Sequence, residues 1–281
     1  ISVSLIKPQV TRLNTHLNTT IGYSTPPCRH IFFRVGQSHG FRFNFDTPCN
    51  VIALSEGRFK RGRRSLQFLD MDGRIIQKIS LTDSSNHIAF MNFINRFGRK
   101  FQNESIAKNE AIDRGNEQSD GVDVNVLRRD WVGMNEAADL DFLLQRHGLS
   151  RLLSFKLIGK IWAAPVSLEI FNSLIAIMAQ LGLSCSYGVD TGIGLHTYLA
   201  KVERFSLNFR KLELVGGGVK YCVDEDGIGS IWVVNIPRGE GLTVLELFDR
   251  NGGRVGQIKS DNDSNTQKVW QDIVGTFPIT A

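Results

Sequence analysis

No stretch of this 281-residue chain approaches the about twenty consecutive apolar residues that a membrane-spanning helix needs. Its first residues, Ile1-Ser-Val-Ser-Leu-Ile-Lys-Pro8, also lack the charged-then-apolar order of a secretory leader. The expectation is a soluble, cytoplasmic protein. Cysteine is scarce: Cys28, Cys49, Cys185 and Cys222 stand far apart with no C-x-x-C pair, which excludes a zinc ribbon or a dithiol redox motif and reads as buried free thiols. G-x-G-x-x-G, P-loop, H-E-x-x-H and G-x-S-x-G patterns are missing too, so hydrolase and dinucleotide-enzyme readings have no support. Gly216-Gly-Gly-Val219 is a turn, because no helical pattern follows it to hold a phosphate.

What the chain does contain is enough apolar residue, 42%, to bury a full core in one large or two ordinary domains. The formal net charge is +5, and much of the excess sits in Arg58, Lys60, Arg61, Arg63 and Arg64. Such a run reads either as a site for an anionic partner or as a solvated turn between two strands. A nucleic-acid-binding or regulatory module would interleave aromatics with the basic residues, and the run offers only Phe59, so the nucleic-acid signal is weak.

An internal repeat organises the rest. Leu66-Gln-Phe-Leu-Asp-Met-Asp-Gly73 recurs as Leu245-Glu-Leu-Phe-Asp-Arg-Asn-Gly252, and Ile75-Ile-Gln-Lys-Ile79 matches Arg254-Val-Gly-Gln-Ile258, at an offset of about 179 residues. Each copy reads as strand, turn, strand, since Asp, Asn and Gly tolerate the positive φ of a tight hairpin. A polar cluster follows each, Asp83-Ser-Ser-Asn86 and Asp261-Asn-Asp-Ser-Asn265, where Asp or Ser would cap a helix. Phe90, Phe93, Ile94 and Phe97 then carry one apolar stripe; Val269, Trp270 and Ile273 carry the other.

The spacing divides the chain into a first repeat over 1–99, a polar linker over 100–128 and a second repeat over 129–281. The second opens with helices: Asn135 can cap Glu136 to His147, Ser150 starts one toward Ile161, and Pro165 suits the first turn of a third that Gly182 closes. Strands take over from Cys185. The fold class is α+β, each repeat a large antiparallel sheet with flanking helices. Subtracting the offset leaves the first repeat largely without its helices, so an amino-terminal truncation is expected.

The segments Gly62–Gly73 with its following helix, Asp130-Trp131 through Arg146-His-Gly-Leu-Ser-Arg151, and Leu245–Phe248 with its hairpin resemble, in order and spacing, the haemin-degrading haem-utilisation proteins of the HemS/ChuS-type family. The resemblance covers nearly the whole chain and implies a haem bound between two repeats, as ligand or as substrate. A histidine of the central helix and a strand arginine would then flank the iron. It assigns the arginine, as the catalytic group, to Arg42, and puts Arg151 and Gln257 around the cofactor; the family's basic residue after the Trp232 strand falls near Ile236 and its Tyr and Arg on Lys259 and Asn262, so Arg238 or Lys259 is the cation expected to replace the lost propionate contacts. The histidine position falls on Ala138, which has no lone pair for iron. His39, near Arg42 in sequence, is the substitute metal ligand this reading names, while His196 reads as a core or edge-strand residue and His147 as a complement to the end of its helix.

Three functions follow as expectations. One is a cytoplasmic haem-binding protein that carries haem or supports its haem-oxygenase-like degradation for iron release, partnered by a haem importer or an electron donor. The second is a family member that keeps the fold without tight haem binding. The third is the basic nucleic-acid or regulatory module.

Overall fold

The structure is a computed structural model, and it describes residues 3–6, 19–23, 30–35, 39–44, 50–56, 63–69, 75–81, 83, 85–97, 121–134, 139–192, 194–237, 242–261 and 263–275. The first half runs β1 (Val3–Ile6), β2 (Thr19–Tyr23), β3 (His30–Val35), β4 (His39–Asn44), β5 (Asn50–Glu56), β6 (Arg63–Leu69), β7 (Ile75–Ser80) and α1 (His87–Phe97). The second half begins with α2 (Val124–Val132), α3 (Asp139–His147), α4 (Arg151–Ile158), β8 (Ala163–Val166) and α5 (Leu168–Leu181). It continues through β9 (Ser184–Asp190), β10 (Gly194–Lys201), β11 (Arg204–Asn208), β12 (Lys211–Gly216), β13 (Val219–Asp224), β14 (Ile228–Ile236), β15 (Leu242–Asp249), β16 (Arg254–Ser260) and α6 (Ser264–Gly275).

Local chemistry sets the helix ends. Asp123 accepts from the amides of Asn125 and Val126, Ser150 from Leu153 and Ser167 from Ile170, each meeting amides that the first turn leaves unbonded. Gly182, at φ +59°, closes α5. Two readings need correction. The helix begun by Ser150 stops at Ile158, because Gly159 turns the chain at φ +103°. Pro165 lies in β8 opposite Trp232, not in a helix; β8 is the edge of its sheet, where a missing amide hydrogen costs nothing.

The expectation of one sheet per half also gives way. Among the described residues all strand pairs are antiparallel, in three sheets: β1-β13-β12-β11, β5-β6-β7, and a nine-stranded sheet ordered β2-β3-β4-β10-β9-β16-β15-β14-β8. Strand β4 of the first half joins β10 of the second, and β1 joins β13. Pairing of this kind depends on residues far apart in the chain, which periodicity within a strand does not encode. The hairpins do keep a common register: Phe68 faces Gln77 and Leu69 faces Ile75 across a bulge, as Leu247 faces Gly256 and Phe248 faces Arg254 across another.

The nine-stranded sheet has two differently used faces. One carries Tyr187, Val189, Leu245, Leu247 and Ile258 against α5, α6 and the four-stranded sheet, a largely apolar core closed by Trp270, whose indole N–H donates to the Thr243 carbonyl at 2.9 Å. Toward β14, β15 and β8 the other face carries Trp232, Val234, Val244 and Phe248 against α2, α3 and α4. Trp131 is fully buried there, edge-on to Phe155, with its indole N–H on the Asn235 carbonyl at 3.0 Å. Burying side chains of this size stabilises by about 2 to 3 kcal/mol each. Helices α3 and α4 are thus fixed over one end of the sheet, and the same face runs out beyond them toward β4.

Candidate functional site

Residues directly opposite each other on neighbouring strands share a face of the sheet. Glu246 is opposite Gln257, Gln257 opposite Gly188, Gly188 opposite Thr197 and Thr197 opposite Gly40, so the face that is apolar beneath the helices becomes polar as it leaves them. In the next row Arg42 is opposite Leu195 and Leu195 opposite Asp190. Gly188 is glycine for a steric reason: a Cβ there would lie 2.6 Å from Cγ of Gln257, which folds over it.

A ladder of alternating charge crosses this face. Arg42 reaches Asp141 of α3 through Nη1 at 2.6 Å, and Arg151, at the start of α4, donates to the other Asp141 oxygen. Arg151 also donates to Glu246 Oε1 at 2.8 Å. Arg254 lies 3.6 Å from that same oxygen and holds Asp190 through Nε and Nη2, both at 2.8 Å. Burial pushes the Asp141 carboxyl up, but Arg151, Arg42 and Arg254 together outweigh it and hold the group at about 2. Burial likewise works against the Arg254 cation, and Asp190, Glu246 and Asp141 override it, so its pKa is raised. The ladder ties β4 of the first half to α3, α4, β15, β16 and β9 of the second.

The residues named from sequence divide by this geometry. Arg42 and Arg151 meet on one carboxylate. Gln257 is on the same face beside Glu246, and Lys259 follows two residues along β16, opposite Val244 and Ser186. His196 alternates with Leu195 and Thr197 and so belongs to the other face of the sheet. His147 Nε2 lies 3.0 Å from an Asp130 oxygen, within hydrogen-bonding distance, a partner that the reading of it as a helix-end complement did not include. The backbone of His39 pairs with Tyr198 and Val35, while its side chain, Ala138 and Arg238 lie outside the described residues, as does most of the Arg58–Arg64 run. Among the described residues no cluster of three or more His, Cys, Asp or Glu could hold a metal ion.

Four members of the ladder were not read from sequence: Asp141, Glu246, Asp190 and Arg254. Two carried a signal. Glu246 is the lone charge in Leu245-Glu-Leu-Phe248, and a charge inside an apolar strand is seldom buried without partners. Asp141 stands three positions after Ala138, the spacing at which residues share a helix face.

No family model matches the chain. It is 22% identical over 266 residues to the hemin transport protein HmuS of Yersinia pestis, an alignment covering 92% of this chain and 73% of the relative. Its fold is similar to that of holo-PhuS, a heme-binding protein from Pseudomonas aeruginosa, with a TM-score of 0.75 and 19% identity over 93% of this chain and 81% of the other. It is similar also to the heme degrading enzyme ChuS of Escherichia coli O157:H7, with a TM-score of 0.72 and 20% identity over 94% and 82%. In sequence and in fold the chain is thus similar to proteins of the HemS/ChuS type. The α+β architecture of antiparallel sheets and few helices is that of its HemS/ChuS-type neighbours. Among the described residues no helix is long and apolar enough to cross a membrane.

Proposed function

We propose that this chain is a cytoplasmic haem-binding protein of haem uptake and utilisation, which receives haem from an importer and carries it on the polar face of the central sheet. The observation that carries this reading is the meeting of Arg42 and Arg151, from opposite halves of the chain, on one carboxylate beside α3. A haem brings two carboxylates, and guanidiniums fixed on rigid elements are suited to them. The names of the relatives, hemin transport and heme-binding, give the ligand class. Arg42 would meet a carboxylate or a ligand on the iron, with Arg151 beside it on Glu246 and Gln257 and Lys259 at the margin; the haem itself would supply the redox chemistry. Family resemblance extends to ring opening with Arg42 as the distal group, but an electron donor would have to supply that step. The common register of the two hairpins supports reading the halves as sequence-related repeats.

A second reading has its own observation. Ala138 stands where an axial histidine would be expected, and both arginines are already paired with carboxylates, Arg42 with Asp141 and Arg151 with Asp141 and Glu246. A family member that keeps the fold and has lost tight haem binding would look this way. Titrating haem into the parent and Ala138→His, followed by absorbance, separates the two. Saturable one-to-one binding by the parent supports the carrier. Binding by Ala138→His alone supports the second reading, and binding by neither overturns the first.

A further inference from the structure

The ladder is charge-balanced: Arg42, Arg151 and Arg254 alternate with Asp141, Glu246 and Asp190. Asp141 is the member that closes it between the two halves, one oxygen on Arg42 and the other on Arg151. It stays an anion throughout the neutral range, since the surrounding arginines hold its carboxyl at about 2 against the effect of burial. A carboxylate bridging a guanidinium from β4 and one from α4 occupies the place that an incoming ligand carboxylate would itself need. Glu246 supplies a second observation. It is 3% exposed, yet its Oε2 has no hydrogen-bond partner among the described residues, although Oε1 accepts from Arg151 and faces Arg254. A buried carboxylate oxygen left unbonded carries a desolvation cost. The guanidinium of Arg151 is beside it and, once released by Asp141, can take Glu246 in the two-pronged pairing that arginine favours.

We propose that Asp141 is a latch: it holds Arg42 and Arg151 in place of a ligand carboxylate, and a dicarboxylate porphyrin enters by displacing it, Arg42 passing to the ligand while Arg151 turns wholly to Glu246. The identity of the ligand rests on the haem reading above; the competition between anions does not. Asp141 is then the residue that sets affinity at this site, and the closed ladder is its resting state.

The test uses metal-free protoporphyrin IX and its dimethyl ester, titrated by fluorescence into the parent, Asp141→Asn and the charge-retaining Asp141→Glu. Asp141→Asn is expected to bind the dicarboxylate at least about tenfold more tightly than the parent does, with the ester unchanged and Asp141→Glu like the parent. An equal gain for ester and dicarboxylate, or no gain for the dicarboxylate, overturns the latch. Thermal melts in inorganic phosphate need no porphyrin: phosphate should raise the melting temperature of Asp141→Asn and leave the parent unmoved, and equal behaviour of the two overturns the latch as well. Circular dichroism checks the fold of each variant, and Asp141→Ala repeats both measurements if Asp141→Asn does not fold. Should haem fail to bind parent and Ala138→His while the phosphate difference holds, the haem reading falls and the latch stands for a smaller anion. Should haem bind the parent and bind no better to Asp141→Asn, the haem reading stands and the latch falls.

Discussion

The two hairpins with their following helices, β6-β7 with α1 and β15-β16 with α6, share register and the position of a bulge, yet they are buried to different degrees. Trp270 on α6 is inaccessible, while Met91, at the matching position of α1, is 38% exposed; Ile258 is inaccessible and its counterpart Ile79 is 41% exposed. Local pattern therefore sets the element and its register, and the layers stacked on it set how much it contributes. The second hairpin lies between α5, α6 and the four-stranded sheet on one face and α2 to α4 on the other, its strands interior to a nine-stranded sheet. The first, with β5, forms a three-stranded sheet of its own. That contrast also separates structural from functional cost: the buried hairpin hosts Glu246 and Arg254, two of the five second-half members of the charged ladder.

The largest test of the contrast is truncation of the helix anchors. Trp270→Ala removes a fully buried ring together with its bond to Thr243 and should cost about 4 kcal/mol, whereas Met91→Ala should cost under about 1 kcal/mol. Urea unfolding of both variants measures this, and similar losses would mean that the two hairpins are equally buried. Next comes Glu246→Gln, which gives the second hairpin the residue that the first has at the same register position, Gln67 opposite Lys78 against Glu246 opposite Gln257. Arg151 and Arg254 lose a shared buried carboxylate, and breaking such a pairing costs about 3 kcal/mol. A near-neutral result would assign Glu246 to function alone.

The same contrast explains what could be read from the chain beforehand. The hairpin turn at Asp249–Gly252, the caps Ser150 and Ser167, and the stop at Gly182 are local events governed by a few residues, so their chemistry is visible in order. Pairing of Arg42 with Leu195, which joins the halves in one sheet, is a long-range choice made by burial, and no strand pattern announces it. Pro165 misled because a first helical turn and a sheet edge both accept a residue without an amide hydrogen. At the site, Arg42 and Arg151 came from resemblance, a route that finds what a family shares. Asp141 and the carboxylates that balance the arginines find their partners on elements distant in sequence, so no local pattern names them.

Acid sensitivity should be concentrated in the second half, and this effect is smaller. The Asp141 carboxyl is held at about 2 in the folded chain against 3.8 without its surroundings. A lowered folded value means that its contribution is complete above the unfolded value and disappears as pH falls through the folded one. That contribution is about 2 kcal/mol, present near neutrality and lost between roughly pH 4 and pH 2. Denaturation midpoints measured across this window should fall more steeply for the parent than for Asp141→Asn. Parallel curves would show that Arg42 and Arg151 do not stabilise the ionised form.

The smallest expected effect bears on the first hairpin directly. Ile79→Thr replaces a half-exposed side chain in β7 with one of equal β-propensity and should change stability by under about 0.5 kcal/mol. The matching Ile258→Thr in β16 buries a hydroxyl within the largely apolar core and leaves a methyl-sized gap, at about 2 to 3 kcal/mol. Because register and chemistry are the same at the two positions, the difference between these variants isolates the layers above them. If Ile79→Thr proved as costly as Ile258→Thr, the exposed face of the first hairpin would have to be covered in solution, by a second copy of the chain or by another partner. Sedimentation of the parent at several concentrations would then tell self-association from the alternative.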